Sequence, residues 1–308
     1  MKRVAGREPL AYLNGRFLAQ ADAQLPLHDA GFVMGATVTD LARTFRFRLF
    51  RFADHLARFR QSCASACIPL LLGDDQLTAI AERLVEHNRE FVSPGADFAL
   101  LVFATPGAVG YYLGEPGGAG DAAPTLGMHT FPLPFARYRH LFEAGATLAI
   151  SNVRHVPGAS VDRRIKHRSR LHWWIADREV QARMPHASAL LLDENGHVTE
   201  TAAANFLLVR DGKVLSPPAA AILGGISLQV TREICDRLGI SFGERLLTVA
   251  ECLAADEALV TSTAYGLAPV SKLDQRAYPA PGPVALRLMA AWDETAGLNI
   301  RQQILANR

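Results

Sequence analysis

The chain has 308 residues, 49% hydrophobic and 20% charged. That balance excludes a disordered polymer and is long enough for two domains with a large core. A formal net charge of only +2 gives the whole chain no general electrostatic footprint for nucleic acid. The four cysteines, Cys63, Cys67, Cys235 and Cys252, show no second pair at metal spacing, so Cys63 and Cys67 read as reduced core thiols on one helix. No apolar leader-like stretch and no apolar run of membrane-spanning length is present, so the expectation is a soluble cytoplasmic protein without a membrane partner.

In chain order, residues 11–18 read as a β-hairpin with Asn14 and Gly15 at its tip, two residue types that tolerate positive φ. Leu27-His28-Asp29 then leads into Gly31-Phe32-Val33-Met34-Gly35. Across residues 43–52 arginines alternate with apolar residues. A strand there puts Arg46 and Arg48 on one face and Phe45, Phe47 and Leu49 on the other, as in a half-buried hairpin; a basic and aromatic ribbon for RNA is the alternative. His55-Leu56-Ala57-Arg58 opens a helix with Asp54 as its cap. Residues 74–90 form a second helix with Leu77, Ile80, Leu84 and Val85 on its apolar stripe. Residues 99–103 are a buried strand. Composition then changes: residues 105–124 hold six glycines and three prolines around Tyr111 and Tyr112, the best linker in the chain. The implied division is a domain over 1–128, including the 105–124 loop, and a second over 129–308.

In the second half, residues 147–152 read as a strand. The basic run Arg163-Arg164-Ile165-Lys166-His167-Arg168-Ser169-Arg170 follows, ahead of an amphipathic helix over 169–181. Alone, such a run is a solvated face or a phosphate patch. It also suits a reactive lysine, because neighbouring cations and partial burial lower a lysine pKa from about 10.4 toward the neutral amine that attacks an aldehyde. Residues 189–192, a turn at 193–196, a strand carrying Glu200 and a strand from Phe206 form the clearest local pattern. Ala202, Ala203 and Ala204 leave room beside Glu200 for something flat, although a strand carboxylate ordinarily faces solvent. Gly224-Gly225 opens a helix with Ile226, Val230, Ile234 and Leu238 at four-residue spacing. That places free N–H groups at the positive end of a helix dipole, or makes a plain turn. A closing helix over 284–292 packs Leu288 and Trp292.

Four segments taken together resemble the class IV, fold-type IV, pyridoxal-phosphate aminotransferases, the family of branched-chain and D-amino acid aminotransferases and aminodeoxychorismate lyase. They are His55-x-x-Arg58, Ile165-Lys166, DENGHVTETAAANFLLV over 193–209, and DEALVTSTAYGLAPV over 256–270. The resemblance implies an α+β fold of two domains: a small N-terminal α/β domain and a larger C-terminal domain with a β-barrel-like sheet core. It implies pyridoxal 5'-phosphate as cofactor, with Lys166 as the catalytic Schiff-base lysine and Glu200 on the pyridine nitrogen. Arg58, Ile226, Ser227 and Thr263 hold the phosphate. Met34, Thr39 and Asp40 line the substrate pocket, and the Ala264 and Tyr265 amides face the substrate carboxylate. The activity implied is amino-group transfer between an amino acid or amine donor and a 2-keto acid acceptor, in a homodimer.

The chain also departs from that pattern. Branched-chain enzymes usually have Tyr at Met34, Phe at Thr39 and Glu at Asp40. They also place a Tyr and an Arg in the strand where residues 97–103 have neither, so the substrate does not carry over; nor does the stereochemistry, because the family handles both L and D amino groups. Lys166-His167-x-x-Arg170-Leu171 is similar to the aminodeoxychorismate lyases, which makes a lyase releasing pyruvate the alternative. A phosphate- or RNA-binding protein using residues 163–170 and 43–52 is a third reading. A metal hydrolase has no support, since no H-E-x-x-H or comparable histidine pair occurs.

Overall fold

The structure, a computed structural model, describes residues 8–93, 95–118 and 122–307. The chain divides into two compact units: Met1–Leu133 with Ile165–Ser169, and Pro134–Arg164 with Arg170–Arg308. The segment holding Lys166 therefore clusters with the first unit, although it lies in the second half of the chain.

The first unit contains β1 (Leu10–Leu13), β2 (Arg16–Ala19), the short α1 (Ala30–Val33), β3 (Val38–Phe45), β4 (Arg48–Leu49), α2 (Phe52–Ser65), α3 (Asp74–Asn88), β5 (Phe98–Thr105) and β6 (Thr125–Pro132). Its six strands form one sheet in the order β2-β1-β6-β5-β3-β4, antiparallel throughout. The expected domain boundary at 128/129 falls inside β6, whose pairing with β1 and β5 keeps it in this unit. Of the 105–124 loop, residues 119–121 lie outside the described residues.

Alternation gives the sheet two faces. Val38, Ala42, Leu100, Val102 and Met128 join Leu56, Phe59, Leu77 and Leu84 of α2 and α3 in one core. On the other face Thr39, Phe103 and Gly127 form one row across β3, β5 and β6. A Cβ on Gly127 would come within 2.3 Å of the Phe103 ring, so glycine there seats the ring against the sheet. The 43–52 hairpin differs from the expected alternation. Arg46 and Phe47 form its turn, both at positive φ, because buried Asp97 accepts their N–H groups at 3.2 and 2.9 Å. The α2 helix is capped by Arg51 in the left-handed region rather than by Asp54, which lies in the first turn. Cys63 is buried as expected, whereas Cys67, just past the helix end, is exposed.

The second unit contains α4 (Phe135–Glu143), β7 (Ala146–Arg154), α5 (Leu171–Arg183), β8 (Ser188–Leu192), β9 (Val198–Thr201), β10 (Asn205–Arg210), β11 (Lys213–Ser216), α6 (Ile226–Leu238), β12 (Phe242–Glu244), α7 (Val249–Leu253), β13 (Glu257–Ser262), β14 (Gly266–Leu273), β15 (Arg276–Ala277), α8 (Pro283–Ala296) and α9 (Ile300–Ala306). The sheet runs β12-β11-β10-β13-β14-β7-β8-β9, and β9 also pairs with β10. That last pairing closes β10, β13, β14, β7, β8 and β9 into a ring, the barrel-like core that the sequence resemblance implies. The seam is a single residue pair, Glu200 opposite Asn205. The α5 helix packs Trp173, Ala176 and Val180 against Ala149, Ala189 and Leu191 of the ring.

Candidate active site

In the first unit the segment carrying Lys166 is bound to β3 as an extra edge. Val38 bridges His167 in antiparallel sense, the Thr39 N–H donates to the Lys166 carbonyl, and the Arg168 N–H donates to the Thr37 carbonyl, both at 2.8 Å. This register sets Lys166 opposite Thr39, in the row that continues to Phe103 and Gly127. From the other side, the Lys166 N–H donates to the Ser62 hydroxyl of α2 at 3.2 Å.

The α2 helix turns His55, Arg58 and Ser62 to one face. All three are buried, at 2%, 9% and 1% exposure. A buried polar stripe is costly unless its groups are paired, and here they are. Asp40, 0% exposed, takes Arg58 Nε on Oδ2 and Arg58 Nη2 on Oδ1, each at 2.8 Å. His55 Nδ1 lies 2.7 Å from Asp40 Oδ1; a carboxylate only accepts, so the imidazole is the donor. Burial alone pushes the Asp40 carboxyl up. The Arg58 charge and the hydrogen bonds from His55 and Arg58 more than reverse that, holding it well below the usual carboxylate range. Burial lowers the His55 imidazole from its ordinary value, against the pull of Asp40.

The expected substrate positions divide here. Thr39 is 3% exposed on the Lys166 face, and Met34 is 62% exposed just past α1. Asp40 points to the other face of β3, and its carboxylate is engaged by Arg58 and His55. It anchors an arginine.

In the second unit, Glu200 is 8% exposed. Its Oε2 accepts from Asn205 Nδ2 at 2.9 Å, and its Oε1 accepts from the Leu223 N–H at 3.2 Å. Asn205 Nδ2 also donates to the Leu223 carbonyl at 2.9 Å. The acid is thus bound to the segment that opens α6. A Cβ on Gly225 would sit 2.0 Å from Asn205 Oδ1, so glycine at the α6 N-cap is what lets the amide approach. That cap makes no side-chain hydrogen bond, and the first-turn N–H groups of Ile226 and Ser227 have no acceptor within the helix.

The turn after β13 is attached to the same seam, since the Ser262 hydroxyl donates to the Ala203 carbonyl at 2.9 Å. This brings Thr263 and Ala264 beside the turn that follows Glu200. Tyr265, at the end of that turn, makes contacts of its own. Its N–H closes the turn onto the Ser262 carbonyl at 3.2 Å, and its ring packs on Tyr138 and Phe142 with centroids 5.6 and 6.5 Å away. Burial raises its phenol pKa further from the neutral range. Both its amide and its side chain are engaged in the fold.

Asn205, which holds Glu200, and Ser62, which accepts the Lys166 N–H, are residues to which the sequence reading assigns no role. Asn205 is visible as the last residue of the V-T-E-T-x-x-x-N run. For Ser62, the only signal is its helical spacing from Arg58. The basic run also proves largely committed: Arg163 pairs with Glu194 at 2.6 Å and Arg164 with Asp162 at 2.8 Å, while Arg170 donates to the Ala202 carbonyl. Among the described residues no cluster of His, Cys, Asp and Glu could hold a metal ion, and no helix is long and apolar enough to cross a membrane.

The first unit holds a buried arginine and a lysine, and the second an uncapped helix start and an oriented carboxylate, groups of the kinds that a phosphorylated pyridine aldehyde requires. Comparison with known proteins agrees. The family model for class IV amino-transferases matches residues 37–273, and the chain belongs to that family. It is 29% identical over 268 residues to a Methanocaldococcus jannaschii protein provisionally named a branched-chain-amino-acid aminotransferase, covering 86% of this chain and 88% of that one. It is 26% identical over 281 residues to the D-alanine aminotransferase of Bacillus licheniformis, covering 90% and 94%. In fold it is similar to the T.th. branched-chain amino acid aminotransferase complexed with N-(5'-phosphopyridoxyl)-L-glutamate, with a TM-score of 0.80, 24% identity, and coverage of 94% and 95%. The protein is a fold-type IV transaminase of a family of pyridoxal-phosphate enzymes. These relatives favour amino-group transfer over the lyase alternative.

Proposed function

We propose that this aminotransferase binds pyridoxal 5'-phosphate through Lys166 and moves an amino group from an amino acid or amine to a 2-keto acid. When bound, the cofactor supplies an aldehyde and an electron-withdrawing ring. Lys166 would hold the cofactor's aldehyde carbon and, as a free amine with a donor bound, would move the proton at the donor Cα. Glu200 holds a proton on the ring nitrogen. The phosphate is assigned to Arg58, the Ile226 and Ser227 N–H groups and the Ser227 and Thr263 hydroxyls. The substrate carboxylate is assigned to the Ala264 amide, and Met34 and Thr39 are assigned to the pocket. The observation that carries this reading is the oriented carboxylate of Glu200, held by Asn205 and the Leu223 N–H directly ahead of an uncapped helix start.

Two finer assignments go with it. A homodimer is supported by the apolar residues Leu171, Trp174 and Ile175 left exposed on α5. A cytoplasmic location is supported by four free thiols, as reducing compartments maintain. The test is a spectral titration of the purified protein with single L, D and achiral amine donors and no acceptor. A donor that bleaches the visible band of the bound cofactor, restored by an added keto acid, supports the reading and names the donor class. A protein that takes up no pyridoxal phosphate rejects it.

A further inference from the structure

We infer that Asp40, braced by His55, is a positioning residue that holds the Arg58 guanidinium ready for the cofactor phosphate. The inference rests on the assignment of Arg58 to that phosphate in the function proposed above.

Asp40 sits on the face of β3 that packs on α2, opposite to Thr39 and Phe103, and is 0% exposed. Its two oxygens meet Nε and Nη2 of Arg58, both at 2.8 Å. Two parallel bonds fix the plane of a guanidinium, which one bond does not. A long arginine side chain carries substantial rotamer entropy, so fixing it in advance removes that cost from phosphate binding. His55, one helical turn before Arg58, holds the shared oxygen Oδ1 at 2.7 Å, which keeps the carboxylate in one rotamer. One turn further on, Ser62 accepts the Lys166 N–H. The helix face that aims Arg58 therefore also fixes the backbone of the lysine.

One effect works against this role: the Asp40 charge repels a phosphate. Carboxylate, guanidinium and phosphate then stand in alternating sign, and the guanidinium is the nearer charge to the phosphate. Attraction remains, and loss of orientation outweighs loss of repulsion.

The test uses the full chain stripped of cofactor. It is titrated with pyridoxal phosphate and with pyridoxal, which lacks the phosphate, following visible absorbance and tryptophan fluorescence. Asp40→Asn should weaken pyridoxal phosphate binding about 10–100-fold, the usual scale for losing the partner that orients a ligating group. Pyridoxal binding should change far less. Arg58→Ala should weaken pyridoxal phosphate binding at least as much, and the double variant should bind no more weakly than Arg58→Ala alone, because Asp40 acts through Arg58. Asp40→Glu, which keeps a carboxylate, should retain part of the preference for the phosphorylated form. Should Asp40→Asn fail to fold, Asp40→Glu and His55→Phe go through the same cycle with the same non-additivity expected.

Additive losses, equal losses for both ligands, or tighter pyridoxal phosphate binding by Asp40→Asn would each overturn the inference. A wild type that binds neither ligand overturns the proposed function together with it. A wild type that prefers the phosphorylated form, with Arg58→Ala retaining that preference, overturns this inference and the Arg58 assignment beneath it, and leaves the proposed amino-group transfer standing.

Discussion

The two units orient their principal charged side chains by opposite means. In the first, Arg58 is matched by a full counter-charge, Asp40, and the pair is buried between β3 and α2. In the second, Glu200 accepts hydrogen bonds from two neutral donors, the Asn205 amide and the Leu223 N–H. A counter-charge ties a functional group to the stability of its surroundings, since removing one partner leaves the other buried and uncompensated. Neutral donors fix the geometry of a carboxylate without themselves supplying a compensating charge. The first arrangement makes function and folding hard to separate, and the second makes them separable.

The variant that cuts deepest is Lys166→Ala, which should abolish turnover and the visible cofactor band; turnover near wild type would end the comparison, because neither region would then serve a lysine-bound cofactor. Glu200→Gln should lower turnover by about 10²–10⁴-fold, the range of a lost proton-holding group. Gln keeps one acceptor oxygen for Asn205 or Leu223 and turns an amide donor toward the other, so its stability, read at the denaturation midpoint, should fall by about 1–3 kcal/mol, less than the loss expected for Arg58→Ala. A large stability loss in that variant would show that the second region is no more separable than the first. Arg58→Ala should cost about 3–5 kcal/mol of stability by stranding Asp40, read as a shifted denaturant midpoint. Asn205→Ala should cost less, about 1–3 kcal/mol, while reducing turnover through a disoriented Glu200. The finest test is acid unfolding. The folded-state pKa of Asp40 lies below its unfolded value, so its contribution is present above about pH 4 and is lost as pH falls through and below that range. Asp40→Asn should flatten the fall in stability over that acid window; an unchanged slope would mean that Asp40 does not govern it.

The regions also differ in how far the sequence disclosed them. The strands around Glu200 are legible because their signals are local: an Asn-Gly turn, alternating strands and small residues follow one another within a short stretch. Closure of the ring is not, since β7 pairs in parallel with β14, far along the chain, and no periodicity records a parallel partner. The 43–52 hairpin departs from its alternation for a similar reason. Arg46 and Phe47 carry no turn signature, and they adopt positive φ because Asp97, distant in sequence, holds their N–H groups. Asp40 and Tyr265 occupy motif positions, but a motif does not say which way a strand faces or where a ring packs. The placement of Lys166 beside β3 rests on backbone hydrogen bonds, to which its side-chain pattern is blind.

The excursion of Ile165–Ser169 into the first unit means that the chain passes between the units at 133/134, 164/165 and 169/170. No single cut divides such a protein into two complete pieces. A fragment ending at Leu133 would lack the segment that pairs with residues 37–39, leaving that edge of β3 bare and open to pairing with other chains. Halves made separately should aggregate or stay silent, and recombine only if the 165–169 segment finds its edge. A cut after Leu133 leaves Lys166 on one piece and its backbone partners Thr37 and Thr39 on the other, so neither piece alone can hold the lysine against β3.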